Sequence, residues 1–183
     1  MANFIRAHKN TVKHEGGYVN DYNDRGGETY SGIARAFNPD WVGWSVLDRI
    51  ANKKRFDVFP QLDKLVKEFY KANYWLENRL NDIKNQSVAE LIYDWVVNSG
   101  KAEREVQKVL VSMGQNIAVD NAIGAKTIKA INSVDQTQLH SNIVAARVQY
   151  YKTGVEQGWL HPSFLNGLTA RAESFTMGKS LAV

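Results

Sequence analysis

The sequence has no cysteine among its 183 residues. It can therefore form neither a disulfide framework nor a metal site built on thiolates, which suits a protein made in a reducing compartment. Hydrophobic residues make up 44% of the chain, and five Trp, eight Tyr and seven Phe are present. This composition is typical of a folded globular protein, and the length allows one domain or two small lobes on a shared core.

Long apolar runs are also missing. No stretch approaches the roughly 18 consecutive apolar residues of a membrane span. The N-terminal segment, MANFIRAHKNTVKHEGG, lacks the apolar centre of a secretory signal. We therefore expect no membrane insertion and a protein made in the cytoplasm without a signal peptide.

The chain also lacks a large excess of charge of either sign. The net charge is +4, and the excess of Lys and Arg is mild and not clustered. Such a surface suits an anionic polymer, either a cell-wall glycan or a nucleic acid. Because clustered basic residues and nucleic-acid-binding motifs are missing, a nucleic-acid binder is the weakest of these hypotheses.

Metal and phosphate motifs fail on spacing. The chain has four scattered histidines, and His14-Glu15 is not followed by the second histidine of a zinc hydrolase. A calcium loop beginning at Asp21 would place Arg25 at the fifth position and Gly32 at the twelfth, where oxygen ligands are needed. Gly27 and Gly32 have the spacing of a phosphate-binding loop, but Ile33 follows them where that motif requires lysine. We predict no metal site and no cofactor.

Helical periodicity dominates, and no strand of five or more alternating residues is evident, so the fold class is predicted to be all-α. The predicted helices span about 3–15, 45–50, 60–75, 87–99, 106–113, 135–157 and 163–177. Ser87 and Glu90 form a capping box at the clearest of them, and Asp135 is the predicted cap of the longest.

One long irregular region, at about 16–43, interrupts the helices. It begins within the stretch HEGGYVNDYNDRGGETYSGI, at 14–33, which holds five glycines and three tyrosines. Irregular segments of this length in a compact domain are usually functional or mobile. This one can hold a small hairpin.

Carboxyl groups in this region suggest acid–base chemistry. Glu15 ends the first helix on its apolar stripe, where burial and the negative helix terminus both favour the protonated form. Asp24 and Asp21 lie in a hydrated loop that suits an ionised carboxylate. Two carboxyl groups in unlike environments are the arrangement that glycosidic cleavage requires. The alternative is an ordinary helix end followed by an ordinary turn.

The order of residues resembles the signature of glycoside hydrolase family 108, the peptidoglycan muramidases related to the "secretion activator" proteins. The shared elements are Glu-Gly-Gly-Tyr at 15–18, Asn-Asp at 20–21, Asp-x-Gly-Gly-x-Thr at 24–29 and Gly-Ile at 32–33. Later blocks follow in the same order: YKANYW at 70–75, YDWVVNSG at 93–100 and DNAIGAKTIKAI at 120–131. The last block is similar to the family's predicted peptidoglycan-binding region.

Two residues depart from the family pattern. Tyr22 stands where the family often has Pro, and Asn121 stands where it often has Gly. Asn can adopt the left-handed backbone that Gly supplies. In many phage lysozymes five residues separate the aspartate from the threonine, whereas four separate Asp24 from Thr29 here.

The resemblance implies a lysozyme-like helical fold and hydrolysis of the β-1,4 bond between N-acetylmuramic acid and N-acetylglucosamine. It implies a catalytic lobe at 1–100 and a helical C-terminal lobe at 101–183, which includes the peptidoglycan-binding region and shares the core. The expected partner is peptidoglycan, and we expect a monomer.

The resemblance also assigns site residues. Glu15 is the expected general acid, and Asp24 and Thr29 complete the catalytic set. The expected substrate-binding residues are Tyr18, Asp21, Tyr30, Trp75, Asp94 and Asn98. For the three aromatic residues core packing competes with stacking on sugars. For Asp94 and Asn98 a hydrogen-bonded core pair competes with a place beside the cleft.

The leading hypothesis is a phage, prophage or bacterial lytic muramidase. The alternative is a wall-binding or secretion-assisting protein without catalytic activity. Retention of Glu15 favours the enzyme, since a binding protein needs no buried acid. Either would reach the cell wall after release from the cell or by assisted export.

Overall fold

The structure is a computed structural model that describes residues 1–12, 16–21 and 26–178. Helices dominate the described residues, as predicted. The α-helices are α1 Phe4–Thr11, α2 Gly43–Leu47, α3 Asp63–Tyr70, α4 Gln86–Asn98, α5 Ala102–Ser112, α6 Ala125–Ser133, α7 Gln136–Glu156 and α8 Leu165–Ser174. Short 3₁₀ helices occupy Pro60–Leu62, Leu80–Asp82 and Pro162–Phe164, and a π-helical turn occupies Lys71–Leu76.

A three-stranded antiparallel sheet accompanies the helices. Its strands, in spatial order, are β1 Tyr18–Asn20, β2 Glu28–Tyr30 and β3 Ile33–Ala34. The turn between β2 and β3 has φ of +46° at Ser31 and +77° at Gly32, the backbone that two-residue hairpins use. The all-α class is therefore corrected to a mainly helical fold with a small sheet. Strands of two or three residues are too short to show a readable alternation.

The chain forms two compact units. We call residues 8–73 the sheet unit, and residues 1–7 with 74–183 the helical unit. The core of the sheet unit is aromatic. The Tyr30 ring lies 6.3 Å from that of Trp41 and 5.7 Å from that of Phe59, and Trp41 meets Trp44 edge to face at 4.9 Å. Such a cluster gives a short sheet a buried face of its own.

The core of the helical unit is built around α4. Nine consecutive residues of this helix, 88–96, are buried. Helix α4 packs against α5 and α7, and α7 packs against α8. A helix that is buried all round requires neighbours on every side, and these helices supply them.

The caps of two helices test the sequence-based boundaries. Asp135 caps α7 as predicted, since its Oδ1 accepts a hydrogen bond from the backbone N–H of Gln138 at 2.7 Å. The predicted Ser87–Glu90 capping box is wrong. Asn85 is the cap of α4, because its Oδ1 accepts from the N–H of Val88 at 3.1 Å.

No helix within the described ranges has both the length and the apolar character to cross a bilayer.

Candidate active site

The predicted site residues are divided between the two units. Tyr18, Asp21, Thr29 and Tyr30 lie in the sheet unit, and Trp75, Asp94 and Asn98 lie in the helical unit. Glu15 and Asp24, the predicted general acid and its partner, lie outside the described residues.

Helix α1 ends at Thr11 within the described residues, and Phe4 and His8 of the predicted stripe are buried. His8 is 3% exposed, and its ring centroid lies 5.3 Å from that of Tyr70. Burial, and secondly the positive charge of Lys67, lower the pKa of His8 to about 4. His8 is therefore neutral at neutral pH.

Tyr18 and Tyr30 are directly opposite each other on β1 and β2. They are 6% and 1% exposed, so both rings belong to the core of the sheet unit. The Tyr30 hydroxyl accepts a hydrogen bond from the N–H of Phe59 at 2.8 Å and donates to its carbonyl oxygen at 3.2 Å. Burial raises the pKa of this hydroxyl. Core packing, rather than the expected stacking on sugar, is the role these rings have here.

Thr29 lies on the other face of the sheet. It is opposite Val19 on β1 and Ala34 on β3, and strand alternation directs it away from the face of Tyr18 and Tyr30. Its Oγ1 lies 3.3 Å from the carbonyl oxygen of Gly27. Thr29 is half-buried, as is Asp21, which directly follows β1. In the sequence, Asp21 precedes and Thr29 follows the segment that contains Asp24.

Glu28 is tied into a network that anchors β2. Its carboxylate accepts hydrogen bonds from the Tyr18 hydroxyl at 2.9 Å and from Arg35 Nη1 at 2.6 Å. Arg35 also donates two hydrogen bonds of 2.8 Å to Asp48, and these hydrogen bonds lower the pKa of the Asp48 carboxyl. Glu28 therefore serves as an anchor, next to Thr29 in the chain.

The second glycine of the Glu-Gly-Gly-Tyr sequence has a steric role. A Cβ atom at Gly17 would lie 2.3 Å from the carbonyl oxygen of Asp57, so only glycine allows this approach. The backbone of Tyr18, the next residue, is bonded to the same segment. The Tyr18 N–H donates to the carbonyl oxygen of Asp57 at 2.8 Å, and the Tyr18 carbonyl oxygen accepts from the Phe56 N–H at 2.6 Å. This contact fixes the chain two residues after Glu15.

Phe56 is a candidate substrate-contact residue that no sequence pattern predicts. It is 62% exposed although it is a large aromatic residue, and its φ is +71°. The Arg55 guanidinium lies 5.0 Å from the centroid of its ring. No sequence signal marks Phe56, because phenylalanine rarely adopts a left-handed backbone.

Asp94 is fully buried in the helical unit. Its carboxylate pairs with Arg147 Nη2 at 2.7 Å and with Arg171 Nη2 at 2.8 Å, which joins α4 to α7 and α8. Asn98 donates to the backbone oxygen of Asp94 at 2.7 Å, so the two side chains do not form the expected pair. The carboxylate of Asp94 stabilises the helical unit and is not open to a sugar.

Trp75 also lies in a core. It is 1% exposed and packs edge-on against Phe4, at 5.8 Å, and Tyr93, at 5.6 Å. As with the two tyrosines, packing is its role in the structure. Within the described part of the chain, no group of three or more His, Asp or Glu side chains could hold a metal ion.

Comparison with known proteins places this chain in a family. Residues 8–100 match the family model described as "Glycosyl hydrolase 108". The chain belongs to this family. Residues 101–173 match a second model, described as "Predicted Peptidoglycan domain". The family's peptidoglycan-related, glycosidase-type function therefore applies to the chain at this general level.

A solved structure shares the fold. The chain aligns with the structure of Brucella abortus SagA at a TM-score of 0.61 and 23% identity, covering 97% of this chain and 98% of that one. Curated protein sequences show no significant match. Where the family often has Gly, Asn121 has φ of +65°, which confirms that Asn here adopts the left-handed backbone.

Proposed function

We propose that this family member is a muramidase, which cleaves the β-1,4 bond between N-acetylmuramic acid and N-acetylglucosamine in peptidoglycan. The observation that carries the proposal is the glycosyl hydrolase 108 match over residues 8–100, which contains both Glu15 and Asp24. Glu15 donates a proton to the leaving oxygen. Asp24 remains ionised, and it stabilises the developing cation or directs a water molecule.

The described frame supports this arrangement. Gly17 and Tyr18 fix the chain just after Glu15, and Gly26 is buried two residues after Asp24. Thr29, on the face opposite the core rings, supplies a hydroxyl that can orient water. Glu28 is unsuited to the ionised partner's role, because Arg35 and Tyr18 already occupy its carboxylate oxygens.

Glu15→Gln tests the proposal. It preserves shape but removes the titrating proton, so we expect release of reducing ends from purified peptidoglycan to fall by at least ~100-fold. Asp24→Asn should lower turnover more than Asp21→Asn, which follows β1, and Glu28→Gln, which lies in β2. Mass spectrometry should find muramic acid at the new reducing ends. A Glu15→Gln variant that keeps a tenth of the activity, with unchanged circular dichroism, would remove Glu15 from the acid role.

A second candidate function is wall binding without hydrolysis, which the match to the peptidoglycan domain favours. If the protein only binds the wall, it should be retained on peptidoglycan without producing new reducing ends. For either function we propose a monomer that is made in the cytoplasm and reaches the wall after release or by assisted export.

A further inference from the structure

A cavity of about 560 Å³ lies within the helical unit, between the first turns of α5 and the C-terminal end of α7. Its principal lining residues are Lys101, Arg104, Glu105, Lys108, Tyr150 and Trp159. We call it the Trp159 pocket. All of its lining residues are described, and none is among the residues predicted for catalysis.

The pocket carries an excess of positive charge. Three of its side chains are cations and one is a carboxylate. Glu105 pairs with Lys108 at 2.8 Å. Lys101 and Arg104 are exposed, and no acidic side chain in the described ranges forms an ion pair with either. Two cations without a carboxylate partner on the rim of a cavity favour an anionic ligand.

Trp159 forms a flat apolar surface beside these cations. Its side chain is half exposed, at 50%, and its ring lies directly over the backbone of Gly154 in α7. A Cβ atom at position 154 would lie 2.5 Å from the ring. Glycine is unfavourable in the interior of a helix. At position 154 the absence of a side chain leaves room for the indole of Trp159 to pack on the helix backbone.

Tyr150, one helical turn before Gly154 in α7, also packs against the indole. The two rings lie 4.9 Å apart at 49°, and the Tyr150 ring also packs against Trp95 of α4 at 6.1 Å. The Tyr150 hydroxyl lies 3.4 Å from Ser99 Oγ. The aromatic surface is therefore built into the helical unit and preorganised, which lowers the entropic cost of binding.

We propose that the Trp159 pocket binds a peptidoglycan strand. The apolar face of a sugar ring lies on Trp159, and carboxylates of the lactyl group or stem peptide pair with Lys101 and Arg104. An aromatic surface with a few polar groups at its edge is the usual composition of a ligand site. The pocket lies within residues 101–173, which match the peptidoglycan domain. The proposal rests on the proposed function only in taking peptidoglycan as the polymer.

Co-sedimentation of the full chain with purified peptidoglycan, on ice to slow turnover, tests the pocket. We expect Trp159→Ala, and separately Lys101→Ala with Arg104→Ala, to raise Kd about tenfold or more. Trp159→Tyr should restore most of the binding. The matched controls are Phe164→Ala, which removes an aromatic residue that is 60% exposed outside the pocket, and Lys126→Ala with Lys129→Ala on α6. Both controls should bind like the unmodified chain.

A second variant tests whether binding depends on the position of the Trp159 indole, and not just on its presence. Gly154→Ala keeps every side chain of the pocket but displaces the Trp159 ring. We expect it to weaken binding nearly as much as Trp159→Ala, with an altered near-ultraviolet circular dichroism signal and an unchanged far-ultraviolet signal. Unchanged binding by Gly154→Ala with a displaced ring would exclude the indole from the site.

Three polymer probes identify the recognised chemistry. Peptidoglycan with amidated carboxylates should bind the unmodified chain only as well as intact peptidoglycan binds the Lys101→Ala and Arg104→Ala double variant. Neutral chitin oligosaccharides should bind more weakly than peptidoglycan. Wall teichoic acid, a phosphate polyanion without this sugar–carboxylate pattern, should not compete. Stronger binding of teichoic acid than of peptidoglycan would overturn the proposal.

Hydrolysis separates this inference from the muramidase proposal. Binding through the pocket without any hydrolysis would overturn the muramidase proposal alone. Hydrolysis of peptidoglycan whose binding is unaffected by the pocket variants would overturn the pocket alone.

Discussion

Phe56 shows how a single residue can be held against its own preference. A bulky side chain at positive φ costs roughly 1–2 kcal/mol, and Phe56 has φ of +71°. Its N–H is bound to the carbonyl of Tyr18, so the sheet keeps the backbone in place. The ring is exposed, and the backbone of Phe56 is bonded to the strand that follows Glu15, so we expect the ring to contact a glycan chain.

Substitution of Phe56 separates strain from contact. Phe56→Gly and Phe56→Ala both remove the ring, so both should lower the rate of peptidoglycan hydrolysis several-fold. Only glycine relieves the left-handed backbone, so Phe56→Gly should be more stable than Phe56→Ala by about 1 kcal/mol. Urea unfolding and reducing-end assays measure the two effects. If both variants hydrolyse peptidoglycan at the rate of the unsubstituted protein, the Phe56 ring is not a substrate contact.

Residue type determines which of these positions could be predicted. Asn121 was open to prediction because asparagine tolerates positive φ. Phe56 was not, since its type argues against that conformation. Tyr18, Tyr30 and Trp75 are ambiguous in the sequence, because an aromatic residue suits a sugar site and a core equally well. Only tertiary packing decides between those roles.

At the scale of elements, helix starts depend on which of several local signals wins. Asp135 caps α7, as predicted, because the other candidate, Ser133, is the last residue of α6. Asn85 and Ser87 both precede the apolar stripe of α4, and the earlier residue takes the cap. α6 starts after Gly124, which supplies no side-chain cap, and it was missed altogether. The sheet depends on contacts such as Arg35 with Glu28 that no periodicity reveals.

The cap of α4 makes a paired test. Asn85→Ala should lower the free energy of unfolding by about 1 kcal/mol, because the Val88 N–H loses its acceptor. Ser87→Ala should change it by less than about 0.5 kcal/mol, because Ser87 Oγ accepts a long hydrogen bond of 3.4 Å, from the N–H of Gly178, and does not cap the helix. Urea denaturation followed by far-ultraviolet circular dichroism measures both. An equal loss in the two variants would return the cap to Ser87.

At the scale of the whole molecule, sequence families and compact units divide the chain differently. The match to the glycosyl hydrolase model ends at residue 100, and the match to the peptidoglycan model begins at 101. The helical unit, however, includes residues 74–183. Its central helix, α4, lies before that boundary, whereas α5, α7 and α8 lie after it. The family boundary therefore separates α4 from the helices that bury it.

Truncation after Gly100 tests whether the catalytic region can fold alone. The fragment keeps α4 but loses Arg147 and Arg171, which leaves the buried carboxylate of Asp94 without its two partners. Loss of partners for one buried charge typically costs about 3–5 kcal/mol, and here the apolar surface of α4 is exposed as well. We expect an aggregated or unfolded fragment by size-exclusion chromatography and circular dichroism. Truncation after Gly178 retains α4, α7 and α8 and is the soluble control. A soluble, fully active fragment of residues 1–100 would show instead that α4 does not need the C-terminal helices.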